Sequence, residues 1–184
     1  MPGKIVIFED MAPPHIEIRV YQSPLKMQAD IADWLEERSA VTNLLLGLLY
    51  RLGRREADGG EVTATLVAVF EDGLPKLAFL HLPPRFEMVM VAAEVGWEAA
   101  LEAAIAHFVT AGHDLMGLVA PDPLADLFAK AYSPTYKVVF RQKVMRLDRI
   151  VPPRPAPGEM RVAMPPDADL LAGWIMAFFK EAMG

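Results

Sequence analysis

Residues 62–70, Val62-Thr63-Ala64-Thr65-Leu66-Val67-Ala68-Val69-Phe70, carry apolar side chains on both faces of an extended chain. A half-exposed strand alternates apolar with polar residues, whereas a strand without a wet face belongs in the middle of a sheet, covered on both sides. The Val and Thr content suits that role, because β-branched side chains pack well on a pleated surface. This one segment calls for an α/β (α+β) fold, a sheet flanked by helices. The neighbouring sequence supplies the rest of the sheet. Asp72-Gly73 has the chemistry of a hairpin turn, residues 77–82 form the return strand, Pro83-Pro84 breaks it, and residues 86–92 form the next. A meander of three strands is the simplest reading.

Helical periodicity flanks the meander. After a half-exposed strand in which Ile16, Ile18 and Val20 alternate with Glu17 and Arg19, Met27, Ile31, Trp34 and Leu35 fall on one helical face. Val41, Leu44, Leu45, Leu48 and Leu52 mark a second helix, expected to stop at Gly53-Arg54-Arg55 and the loop through Gly60. Beyond the meander, Trp97, Ala100, Leu101, Ala104, Ile105 and Phe108 define a helix that Gly112 should end. Residues 115–119 form a short strand, so strand, helix and strand make a parallel crossover. Asp122-Pro123 is a good helix opening for the stripe Leu124, Leu127, Phe128 and Ala131. Residues 136–147 read as a long final strand. The sheet is therefore expected to be mixed but mostly antiparallel.

A boundary follows. Residues 151–158, Val-Pro-Pro-Arg-Pro-Ala-Pro-Gly, hold five prolines and glycines in eight positions and read as a stiff linker. Residues 159–163 look like a strand, and Asp167 or Asp169 is placed to cap a last helix with Leu170, Leu171, Trp174, Ile175, Phe178 and Phe179 on its apolar face. One strand and one helix cannot enclose a core. That helix needs a cover: the preceding domain, a second copy in a homodimer, or further sequence.

Composition closes several doors. The 184-residue chain has no cysteine, which removes thiol nucleophiles, disulfides and thiolate metal sites and fits a reducing compartment. Its formal net charge of −6 disfavours nucleic acid as a partner. The first ten residues lack the apolar run of a secretory signal, and the most apolar run, residues 41–50, falls well short of the roughly 20 residues a membrane span needs. A soluble, cytoplasmic protein is expected, with no membrane partner. His15, His81, His107 and His113 have no metal-ligand spacing, so no metal is expected.

The run Phe140-Arg141-Gln142-Lys143-Val144-Met145-Arg146-Leu147-Asp148, the proline-rich segment after it, and Met160-Arg161-Val162-Ala163 together resemble the join between the halves of bacterial two-domain N-acetyltransferases of the GNAT superfamily. The order of elements is similar to the GNAT fold as well. The resemblance implies three parts: a GNAT-like N-terminal domain at 1–150, the linker at 151–158, and, at 159–184, the strand and helix that open a second GNAT domain. It also implies acetyl transfer from acetyl-CoA to an amine, with this chain non-catalytic alone. The alternative is a non-catalytic module for small-molecule binding or dimerisation.

Members of that superfamily hold the coenzyme pyrophosphate at a helix N-terminus introduced by Gln/Arg-x-x-Gly-x-Gly/Ala. Small residues let the backbone approach the anion there, and the helix dipole attracts it. The corresponding stretch here is Ala93-Glu94-Val95-Gly96-Trp97-Glu98, in which only Gly96 fits and two acids sit where phosphates would lie. The chain by itself is therefore not expected to hold acetyl-CoA. Tyr132 lies near the place where many GNAT enzymes keep a tyrosine that protonates the departing thiolate. A tyrosine at the end of an amphipathic helix also serves as a rim residue. Arg51, Arg54 and Arg55 form the one basic cluster, a phosphate site or a solvated helix end. His113-Asp114 reads as a catalytic pair or as a turn after Gly112.

Overall fold

The computed structural model describes residues 14–84, 86–152, 154 and 157–183. Of the proline-rich segment, residues 153, 155 and 156 lie outside the described residues, as do the first ten residues read above for a leader. The chain divides into two compact units, residues 1–146 and 147–184.

The first unit runs β1 (Ile16–Tyr21), α1 (Pro24–Glu36), α2 (Ser39–Ala57), β2 (Thr65–Glu71), β3 (Leu74–His81), β4 (Met88–Ala92), α3 (Glu98–Ala111), β5 (Leu118–Val119) and α4 (Leu124–Tyr132). One mixed sheet has the order β1-β2-β3-β4-β5; the first four strands are antiparallel neighbours, and β5 lies parallel to β4. The turn between β2 and β3 is Asp72-Gly73, both with positive φ (50° and 80°). Two successive left-handed residues match the twist of a tight hairpin, which is why Asp-Gly stands there.

The central strands are buried on both faces, as residues 62–70 foretold. On one face Leu66, Ala68, Phe70, Ala78, Leu80, Val89 and Val91 meet Met27, Ile31 and Leu35 of α1 and Leu45, Leu46, Leu49 and Leu52 of α2. On the other, Val67, Val69, Leu77, Phe79, Met88 and Met90 meet Ala100, Leu101, Ala104 and Phe108 of α3 and Leu124 and Phe128 of α4. The result is a three-layer α/β/α unit, and the Leu-rich α2 is a core helix.

Local chemistry sets most ends. Ser23 caps α1 by accepting from the Lys26 N–H at 3.2 Å, with Pro24 in the first turn. Gly112, at φ 64°, ends α3 as expected. Gly53 does not end α2, which continues through Arg54 and Arg55 to Ala57. Gly53 is instead a point of close approach: an added Cβ would stand 1.9 Å from Gln28 Nε2, and that amide donates to the Leu49 carbonyl at 2.9 Å. The stop falls at Gly59, with φ 77°.

Two expected strands are not strands. Residues 136–147 have no ladder: they pair with neither edge of the sheet, β1 or the two-residue β5, and a strand needs backbone to pair with. Arg141 in this segment pairs instead with Asp122 at 3.2 Å, so Asp122 does not cap α4. Residues 159–163 are likewise unpaired. There Arg161 forms a fork with Asp167 at 2.7 and 2.8 Å, and Asp167 also accepts from the Met164 N–H at 2.7 Å. This second unit thus consists of a capped 3₁₀ turn (Pro165–Asp167) leading into α5 (Ala168–Met183). Leu170, Trp174, Ile175, Met176, Phe178 and Phe179 are exposed, and among the described residues the unit has no further helix or strand.

His81, at the end of β3, is 4% exposed and its Nε2 has no hydrogen-bond partner among the described residues. Burial pushes its pKa below the ordinary value near 6.5, and the backbone of Phe86 offsets part of that. A depressed histidine binds more protons unfolded than folded. Its contribution to stability is therefore whole above pH about 6.5 and is lost as pH falls from there through the folded-state value. Urea unfolding of the wild type and His81→Leu should show the wild type losing stability relative to the variant between pH 7.5 and pH 5.5 (values set about one unit either side of the free histidine value). A pH-independent difference would refute this.

Candidate functional site

A cleft of about 340 Å³ opens beyond the C-terminal ends of β4 and β5. Parallel strands joined by a crossover helix leave such a crevice where their connections diverge, and ligands of open α/β sheets collect there. Ala92, Ala93 and Glu94 come from the end of β4, Trp97 from the head of α3, and Pro121, Asp122, Pro123 and Leu124 from the entry to α4. Arg38 reaches in from the turn between α1 and α2.

Arg38 is held at both ends. Its carbonyl accepts from the N–H groups of Val41 and Thr42 at 2.9 and 3.1 Å, opening α2. The buried Thr42 hydroxyl lies 2.6 Å from the Leu35 carbonyl and 3.0 Å from that of Arg38, sharing one proton between the end of α1 and the turn. At the other end, Arg38 Nη1 donates to the carbonyl of Ala92, the last residue of β4. Arg38 Nε is buried without a hydrogen-bond partner among the described residues. The nearest acid, Glu94, stands 3.8 Å away on a side chain that is 80% exposed. A guanidinium has five N–H donors, and a buried donor left unmade costs about 1–3 kcal/mol. Arg38 therefore lines the cleft with its Nη1 spent on β4 and its Nε a buried donor left unmade.

Gly96 lies between Glu94 and Trp97 at φ 68°, a left-handed turn that favours glycine. Lys76 Nζ sits 3.1 Å from where a Cβ on Gly96 would stand. The residues around Gly96 do not fit a coenzyme pyrophosphate. The Ala93 N–H is spent on the Lys76 carbonyl at 2.8 Å, and Glu98 occupies the first turn of α3. Glu94 and Glu98 offset the charges of Lys76 and Arg38, so a doubly charged anion meets no net positive charge. No transfer step through acetyl-CoA is derived on these residues.

Tyr132 is not in the cleft. It ends α4, about 12 Å along the helix axis from Leu124. Its hydroxyl donates to the His113 carbonyl, and its ring stacks on Phe128 with centroids 5.6 Å apart. Burial, and after it the charge of Asp114, raises its pKa. Gly96 and Tyr132 are thus not brought together. The half-buried His113 ring packs 5.2 Å from Phe108, beside His107 at 6.5 Å, in a turn after Gly112. Arg51, Arg54 and Arg55 are exposed along the last turns of α2. No cluster of His, Asp or Glu among the described residues could hold a metal ion. No helix among them is long and apolar enough to cross a membrane.

Sequence reasoning missed Arg38, which sits in Glu36-Glu37-Arg38-Ser39 with no motif around it. Only the path of the α1–α2 turn across the end of β4 singles it out. The chain matches no protein-family model, no curated protein and no solved structure.

Because the Tyr132 hydroxyl serves a loop carbonyl, Tyr132→Phe should cost about 1 kcal/mol of stability in urea unfolding. Ligand affinity at the cleft should not change. A variant as stable as the wild type would show that the hydroxyl does not hold the loop.

Proposed function

We propose that this chain is a GNAT-like module that binds a small molecule at the fork between β4 and β5 and does not catalyse acetyl transfer by itself. The observation that carries this reading is the concave cleft at the carboxyl ends of two parallel strands, with the Arg38 cation anchored in its lining. The order of helices and strands through α4 supports the reading, although the strand expected at 136–147 is not formed. Fold does not by itself assign an activity, so the chemistry has to come from the site.

That chemistry favours binding over catalysis. The cleft lining contains neither histidine, serine, lysine nor tyrosine; its titratable groups are Arg38, Glu94 and Asp122. An arginine stays charged at working pH and is no proton shuttle. The two carboxylates are largely exposed, with side-chain exposures of 80% and 72%, and neither stands beside a nucleophile in the lining. A donor thioester would also need a phosphate cradle, which the Glu94–Glu98 stretch does not supply. Thermal unfolding and calorimetry with acetyl-CoA and with free CoA at millimolar concentration should give no saturable response, since a ligand that prefers the folded state raises the melting temperature. Saturable binding would favour the acetyltransferase reading instead.

The dimerisation reading is favoured by a separate observation, the exposed apolar face of α5. Three aromatic rings and three aliphatic or thioether side chains more than half exposed on one short helix form the kind of surface that proteins cover. Light scattering after size exclusion should give a mass above that of one chain for the wild type, and a lower mass for Trp174→Glu combined with Phe178→Glu. A wild type that runs as a monomer rules this reading out.

A further inference from the structure

We infer that the outward face of α2 pairs with the same face of a second copy of this chain, the two helices lying antiparallel across a twofold axis at Leu44. This face belongs to the first unit and is distinct from both the cleft and α5.

One side of α2 lies in the core, through Thr42, Leu45, Leu46, Leu49 and Leu52. On a helix whose other side faces water, that other side is ordinarily polar. Here it carries Ala40, Leu44, Gly47 and Arg51 at intervals of four, three and four residues, flanked by Val41 and the half-buried Leu48. Val41 and Leu44 are each 48% exposed, so the apolar stripe lies open along the helix. Gly47 is a second sign. Glycine weakens a helix interior, and a close neighbour is the usual reason to keep one, as Gln28 is for Gly53. A Cβ on Gly47 would meet nothing within 4 Å, so no described residue of this chain requires the space. A second helix seated on the stripe does require it, because ridges of one helix pack into grooves of the other.

Charge selects the occupant. Glu37, in the turn before α2, and Arg51 stand equally far in sequence on either side of Leu44. Both are exposed, and neither forms an ion pair or side-chain hydrogen bond among the described residues. With Leu44 against its own copy, an antiparallel pair sets Val41 opposite Gly47 and each Glu37 opposite an Arg51. The contact is self-complementary, as a twofold interface has to be. A parallel pair would instead put Arg51 beside Arg51 and Glu37 beside Glu37, which repel. A phosphate is the other ligand that Arg51, Arg54 and Arg55 suggest, but it would meet the negative end of the α2 dipole there.

The test follows the mass of the full chain by sedimentation at concentrations up to about millimolar, because one helix pair lies at the low end of interface sizes, below roughly 1,200 Å². Association should persist in the chain carrying Trp174→Glu and Phe178→Glu, which leaves α5 out of the measurement. In that background Glu37→Arg and Arg51→Glu should each weaken it at least about tenfold at low salt, since two attractions become two repulsions. An equimolar mixture of these two variants should re-associate, because each mixed pair again sets an acid against a cation at both sites. Gly47→Leu should weaken association by a similar factor while stability to urea stays level or rises, as helix propensity predicts. A single-chain mass throughout overturns the inference. A mass that the α2 variants leave unchanged overturns it too, as does a mixture that fails to re-associate. None of these outcomes bears on the cleft, whose ligand test stands apart.

Discussion

The structure depends on hiding both faces of β2, β3 and β4 from water. Most side chains on these strands are buried, and β4 is buried throughout. Neither face could do without its pair of helices, because each apolar residue left in water forfeits on the order of 1.5–3 kcal/mol. On the α3–α4 side the burden falls on aromatic packing: Phe79 lies 5.0 Å from Phe108 and 6.1 Å from Phe128, and those two are 5.9 Å apart. On the other side, leucines of α2 and the Met27, Ile31 and Leu35 stripe of α1 fill the same function.

That arrangement creates the cleft as a by-product. Once α3 must cross back over one face to deliver β5 beside β4, the connections beyond the two strand ends diverge. Once α1 and α2 must lie on the opposite face, their short turn has to pass near one end of the sheet. The Thr42 hydroxyl and the Ala92 carbonyl then fix where the Arg38 backbone and side chain go. The electrostatic character of the site follows from three residues on three different connections, none of which belongs to the core. Such residues can vary without disturbing the sheet, which is how one fold comes to carry different chemistries.

Much of the architecture was legible because burial writes itself into periodicity. The apolar run ending at Phe70, the 3.6-residue stripes of α1 and α3, the Asp72-Gly73 turn and the Gly112 stop all follow from short-range physics. Gly53 misled for an instructive reason: glycine ends helices through its backbone freedom, but it also lets a neighbouring helix come close, and sequence cannot distinguish the two uses. Residues 136–147 misled differently. Their composition suits a strand, yet a strand exists only with a partner, and these residues pair with neither edge of the sheet. Of the site, Gly96 was visible as a special backbone position, while the roles of Arg38 and Asp122 depend on neighbours far away in the chain.

Sequence alone therefore determined the class of fold, the number of covered faces on the central strands, and the lack of thiol chemistry. Those properties are set by residue type and spacing within a window of ten or so positions. Tertiary structure decided which glycine stops a helix, which extended segments join the sheet, and which charged side chains share a cleft. Each of these is settled by contacts between residues distant in the chain, and the energy of a hydrogen bond or ion pair depends on a partner that local pattern does not specify.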